Sequence, residues 1–87
     1  MRITIYNAND EDGVKIKKFL QENDILFREV NTNDLNLLQK IAHAPLKNKT
    51  SLLEIRNGYV KIITGYLEWD LNQLLEHIKK YNPKIKT

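Results

Sequence analysis

Asn57-Gly58 constrains the fold of this chain more than any other local feature. The dipeptide lies between two short runs rich in β-branched and apolar residues, Leu52–Arg56 and Tyr59–Ile63. A two-residue type I′ turn needs positive φ at both central positions, and Asn followed by Gly meets that need at least steric cost. The spacing therefore predicts an antiparallel hairpin. The remaining elements have to be arranged around it.

Before the hairpin, Ile3 and Ile5 alternate with Arg2, Thr4 and Tyr6, the period of a strand. Val14, Ile16, Phe19 and Leu20 then form a stripe of helical period, in a helix beginning around Gly13 and stopped by Asn23-Asp24. Ile25, Phe27 and Val30 supply a second strand. A helical crossover between these two strands makes them parallel. Thr32, Asn33 and Asp34 offer N-caps for a second helix carrying Leu35, Leu38, Ile41 and Ala42, and Pro45 closes it. After the hairpin, Leu71, Leu74, Leu75 and Ile78 mark a third helix, ending before Asn82-Pro83. The order is βαβ-α-ββ-α, an α/β fold whose four-stranded mixed sheet is flanked by three helices. A chain of 87 residues holds one such domain, over 1–82, with a basic C-terminal tail at 83–87.

Composition narrows the function. Hydrophobic residues at 41% and charged residues at 29% belong to a globular chain rather than a disordered one. Apolar runs are too short to span a bilayer. Residues 1–6 alternate and turn polar at Asn7, unlike the continuous apolar stretch of a secretory signal, so a cytoplasmic location is expected. The net charge of +3 is mild. Its excess sits at Lys15, Lys17 and Lys18 and at Lys79, Lys80, Lys84 and Lys86, which leaves nucleic acid as one partner class on charge alone. There is no cysteine, so disulfides, thiolate metal sites and thiol–disulfide exchange by this chain are excluded.

That last exclusion matters because several phrases of the chain resemble the glutaredoxins of the thioredoxin superfamily. Met1-Arg2-Ile3-Thr4-Ile5-Tyr6 is similar to their first strand, and Phe19-Leu20-Gln21-Glu22-Asn23-Asp24-Ile25-Leu26-Phe27 to their "FLxENxIxF" segment. Lys49-Thr50-Ser51-Leu52 falls where the family has "RTVP", and Thr64-Gly65-Tyr66 where it has "GGF" before the last helix. The resemblance implies a thioredoxin-like, glutaredoxin-type fold with strand order two-one-three-four and Leu52 close to Asp12. It also implies a substrate face built from the start of the first helix, the loop before the third strand and the turn before the last helix.

The departures from the family decide the chemistry. Where it has Cys-x-x-Cys, this chain has Asp10-Glu11-Asp12-Gly13-Val14. A helix N-terminus favours a carboxylate as it favours a thiolate, by about 0.3–1 kcal/mol when exposed, so an anion is kept while the nucleophile is lost. Leu52 stands at the family's cis-proline position, where a non-proline cis bond would cost about 2.5–4 kcal/mol; a trans bond is expected. Leu67 replaces the acidic residue that helps hold glutathione in the family. Lys49 and the Gly65 backbone survive as contacts the resemblance implies for glutathione.

Other motifs carry less. Asp10, Glu11 and Asp12 do not form a calcium loop: with Gly13 at the required glycine, Ala8 falls at the first ligand and Phe19 at the bidentate carboxylate. Helix capping accounts for them, and no metal, cofactor or catalytic residue is expected. His43, His77 and Ser51 show no nucleophile pattern. The candidate face is therefore Asp10, Glu11, Asp12, Lys49, Thr50, Ser51, Leu52, Gly65, Tyr66, Leu67 and Trp69. Leu52, Tyr66, Leu67 and Trp69 either form an exposed patch for a protein partner or fold inward to fill the lost pocket. The expected function is a redox-inactive, non-catalytic protein-binding or regulatory module. The alternatives are a remnant glutathione or small-anion site and a nucleic-acid-binding accessory protein; no membrane role is expected.

Overall fold

The computed structural model describes residues 1–81, so the basic tail and the Asn82-Pro83 stop lie outside the described residues. Its elements are β1 (Arg2–Asn7), α1 (Glu11–Glu22), β2 (Arg28–Asn31), α2 (Leu35–Ala42), β3 (Leu52–Arg56), β4 (Val60–Thr64) and α3 (Glu68–Tyr81). The sheet is mixed and ordered β2-β1-β3-β4, with β1 and β2 parallel and the other two pairs antiparallel. Element order and strand order follow the expectation, and among the described residues the peptide bonds are trans, that before Leu52 included.

Strand alternation divides the side chains between two faces. Ile3, Ile5, Leu53, Ile55 and Ile63 point to one, where α1 (Ile16, Leu20) and α3 (Leu71, Leu74, Ile78) close the main core over them. The opposite face takes Arg2, Thr4, Tyr6, Leu52, Glu54 and Ile62. There the shorter α2 packs near β4, and its fully buried Leu38 lies outside the main cluster, as Leu52 does.

Three boundaries differ from the sequence reading. The second strand starts at Arg28, because Ile25 leaves the end of α1 directly into the core and its amide bonds the Leu20 carbonyl at 2.9 Å. Arg56 pairs with Val60, so the hairpin loop holds three residues and β4 runs one residue further, to Thr64. The turn is not type I′: Gly58 takes φ +79°, but Asn57 is not among the positive-φ residues. The Asn57 side chain instead reaches the His77 ring, Nδ2 to Nε2 at 3.3 Å, tying the loop to α3. Helix termini follow the expected caps. Asp34 accepts from the Asn36 and Leu37 amides, and α2 ends on left-handed His43 two residues before Pro45.

Candidate functional site

The start of α1, the entry to β3 and the turn before α3 meet at one end of the sheet. Asp10 makes that junction. As N-cap of α1 it accepts the Gly13 amide at 2.8 Å through Oδ1, the usual way of satisfying an orphan donor in the first turn. The same carboxylate reaches across 41 positions of sequence to Ser51. Ser51 Oγ donates to Oδ1 at 2.7 Å, and the Ser51 amide donates to Oδ2 at 3.2 Å. Ser51 Oγ in turn accepts the Ala8 amide at 2.9 Å, and the Ser51 carbonyl accepts the Gly65 amide at 2.8 Å. Burial pushes the Asp10 carboxyl up, but hydrogen bonds from the Ser51 hydroxyl and from the Gly13 and Ser51 amides outweigh it. They hold it below the ordinary value.

Asn7 extends the junction. Its Oδ1 accepts the Asn9 amide at 2.8 Å, and its Nδ2 donates to Glu29 at 2.9 Å. Glu29 also pairs with Lys17 at 3.0 Å. Hydrogen bonds from Asn7 and Lys17 lower the Glu29 carboxyl against its small burial cost. Gly13 is what lets these parts approach. A Cβ there would collide with Asn7 Oδ1 and stand 2.6 Å from Ser51 Oγ. Gly65 serves the third segment: its φ is +78°, and a Cβ would stand 2.9 Å from Asp12 Oδ2.

The expected face thus divides in two. Asp10, Ser51, Leu52 and Gly65 are locked together or buried, with Asp12 against Gly65; the Ser51 amide is taken by Asp10 and the Ser51 carbonyl by the Gly65 amide. Leu52 and Ser51 are fully buried, so neither belongs to any surface; Leu52 fills space on the α2 side. The second group is open. Trp69, in the first turn of α3, is 71% exposed and Leu67 is 46% exposed. Tyr66 is half-buried against the core, with the Lys15 ammonium 5.9 Å from its ring centroid. Glu11 and Lys49 are exposed, and Thr50 is half-buried with its hydroxyl on the Asn48 carbonyl.

Two residues that build the junction, Asn7 and Gly13, are absent from the sequence-based set. Their signal is weak: a polar residue ending an otherwise apolar strand, and a glycine inside a helix where it lowers propensity. The lysines of α1 do not form a bare cationic strip, since Lys15, Lys17 and Lys18 pair with Glu11, Glu29 and Glu22. Among the described residues, no group of three or more His, Asp or Glu could hold a metal ion, and no helix is long and apolar enough to cross a membrane. Comparison of the chain with family models, with curated proteins and with solved structures finds no match in any of the three.

Proposed function

We propose that this chain is a redox-inactive domain of glutaredoxin type that binds a protein partner through the leading edge of α3. The observation that carries the reading is Trp69. An indole left 71% exposed on a regular helix, two residues from half-exposed Leu67, is the kind of aromatic anchor that dominates protein interfaces. The mixed sheet in the order β2-β1-β3-β4 with three helices is compatible with a thioredoxin-like layout and supports the scaffold half of the proposal. Its thiol chemistry is gone with the cysteines.

The test compares the native chain with Trp69→Ala/Leu67→Asp in capture from a host lysate. Each captured protein is then purified and added back while Trp69 emission is followed, since Trp69 is the sole tryptophan. The proposal expects a discrete partner that is lost in the double variant, shifts the native emission to the blue, and leaves the unfolding midpoint of the variant unchanged. Equal capture by both proteins would remove this edge from the function.

Against a remnant glutathione site stands the Asp10–Ser51 junction. The Gly13 and Ser51 amides and the Ser51 carbonyl, the groups such a ligand would need, already have partners inside the chain. Titrating glutathione to millimolar concentration should leave the amide resonances of Gly13, Ser51 and Gly65 in place.

A further inference from the structure

The face of the sheet that α2 shares gathers all three arginines of the chain. Strand parity puts Arg2, Thr4 and Tyr6 of β1, Arg28 and Val30 of β2, and Leu52, Glu54 and Arg56 of β3 on that side. The register then sets Arg2 directly opposite Arg56 and Arg28 directly opposite Thr4. Like charges opposite each other on a sheet are destabilising, so this arrangement is not what folding alone would select. One acid, Glu54, shares these strand positions, and it is taken by Arg56 at 3.3 Å. Among the described residues, Arg2 and Arg28 are exposed and have neither an ion pair nor a hydrogen bond for their guanidinium groups.

The surroundings reinforce the charge. From Leu35 to Leu53, the stretch that forms α2 and returns to the sheet, there is no acidic residue, while Lys40, Lys47 and Lys49 are exposed. The acids of the first turns of α1 and α3, Glu11, Asp12, Glu68 and Asp70, belong to the helices on the other side of the sheet. Tyr6 lies within the field of the cluster. Burial and Glu54 push its hydroxyl up, and Arg56 and Arg28 pull it back.

We infer that this arginine-bearing sheet face, with Tyr6 two positions along β1 from the Thr4–Arg28 pair, binds the phosphodiester backbone of a single-stranded nucleic acid. Three features favour that occupant. Arginine's planar fork pairs two-pronged with phosphate oxygens and stacks on bases, whereas lysine acts as a point charge. Arg28 and Arg56 lie two strands apart and two residues out of line, on the order of 12 Å by sheet geometry. That span is too wide for one phosphate and suits a repeating anion. Tyr6 is half-buried beside fully buried Leu52, and the part of it left at the surface of this face offers a base a stacking contact. The face is distinct from the α3 edge, and the two inferences stand or fall separately.

Anisotropy of a labelled oligouridine of about ten nucleotides, titrated with the full chain at low salt, tests this. Binding should weaken with salt at a log–log slope near −2, about 0.7 for each phosphate engaged by three arginines. Arg2→Gln/Arg28→Gln/Arg56→Gln should lose at least about tenfold in affinity, and Tyr6→Leu about fivefold. Lys15→Gln/Lys18→Gln should bind as the native chain does. Arg2→Gln alone relieves a repulsion, so its unfolding midpoint should not fall while its binding does. Unchanged affinity in the triple arginine variant, or polyglutamate binding as tightly as the oligonucleotide with no effect of Tyr6→Leu, would overturn the assignment.

Discussion

The Asp10–Ser51 junction and the Leu67–Trp69 step sit on neighbouring segments, yet they are opposites in how their bonding capacity is spent. At the junction one carboxylate takes three hydrogen bonds from α1 and from the entry to β3, and Ser51 Oγ accepts a further one from the Ala8 amide, just past β1. No buried side-chain nitrogen or oxygen among the described residues lacks a partner. At the α3 edge most of Trp69 and nearly half of Leu67 face solvent. A region whose polar groups are all satisfied internally resists change and offers little to a ligand. A rigid helix turn presenting an uncovered indole does the reverse.

The sharpest way to break this contrast is to enlarge Gly13. Its Cβ would press on Asn7 and Ser51, both buried and both held by hydrogen bonds, so neither can swing aside cheaply. Gly13→Ala should therefore cost about 2–4 kcal/mol by urea denaturation, although alanine gains about 1 kcal/mol in helix propensity. A stabilised Gly13→Ala would mean the junction is looser than its distances imply. Asp10→Ala comes next. It removes the cap and leaves the Ser51 amide and hydroxyl without an acceptor, for an expected loss of about 1–3 kcal/mol.

The pH dependence of stability reads the same carboxylate. Asp10 is held below its ordinary value in the folded chain, so the unfolded state binds the proton more readily. Its contribution is present above the unfolded value near 4 and is lost as pH falls through the lower folded value. Glu29 is shifted in the same direction and acts in the same window. Asp10→Asn should flatten the acid limb of a stability-against-pH curve without removing it, because Glu29 remains. A limb of unchanged steepness would place the titration elsewhere.

Much of this molecule is legible in its sequence because it is local. The 3.6-residue stripes of α1 and α3, the alternation of β1 and the Asp34 cap each depend on residues within one turn or one strand. The Asp10–Ser51 bond depends on how β1 and β3 register, 41 positions apart, and no spacing in the chain announces it. The need for glycine at 13 is invisible until Asn7 and Ser51 have both been placed around it. The loop at Asn57 departs from a type I′ turn because its side chain reaches His77 on α3, a tertiary contact that overrides the dipeptide preference. Trp69 had a readable signal. It lies two residues before Leu71, about 200° around the helix from the buried stripe of Leu71, Leu74 and Ile78.

That geometry also yields the smallest expected effect, and the one that separates the two regions most cleanly. Trp69 buries little of itself, so Trp69→Ala should change stability by less than about 0.5 kcal/mol. Combined with Asp10→Ala, its effect should add to within about 0.5 kcal/mol, since Asp10 bonds Gly13 and Ser51 and neither of these bonds Trp69. Asp10→Ala with Ser51→Ala should behave differently, falling short of the sum of the single losses by about 0.5–3 kcal/mol, because each single change already breaks the bond they share. Urea midpoints of these five proteins against the native chain decide it. Coupling between Trp69 and Asp10 as large as that between Asp10 and Ser51 would mean that the indole takes part in the junction, and the edge of α3 could then no longer be treated as a surface left over for a partner.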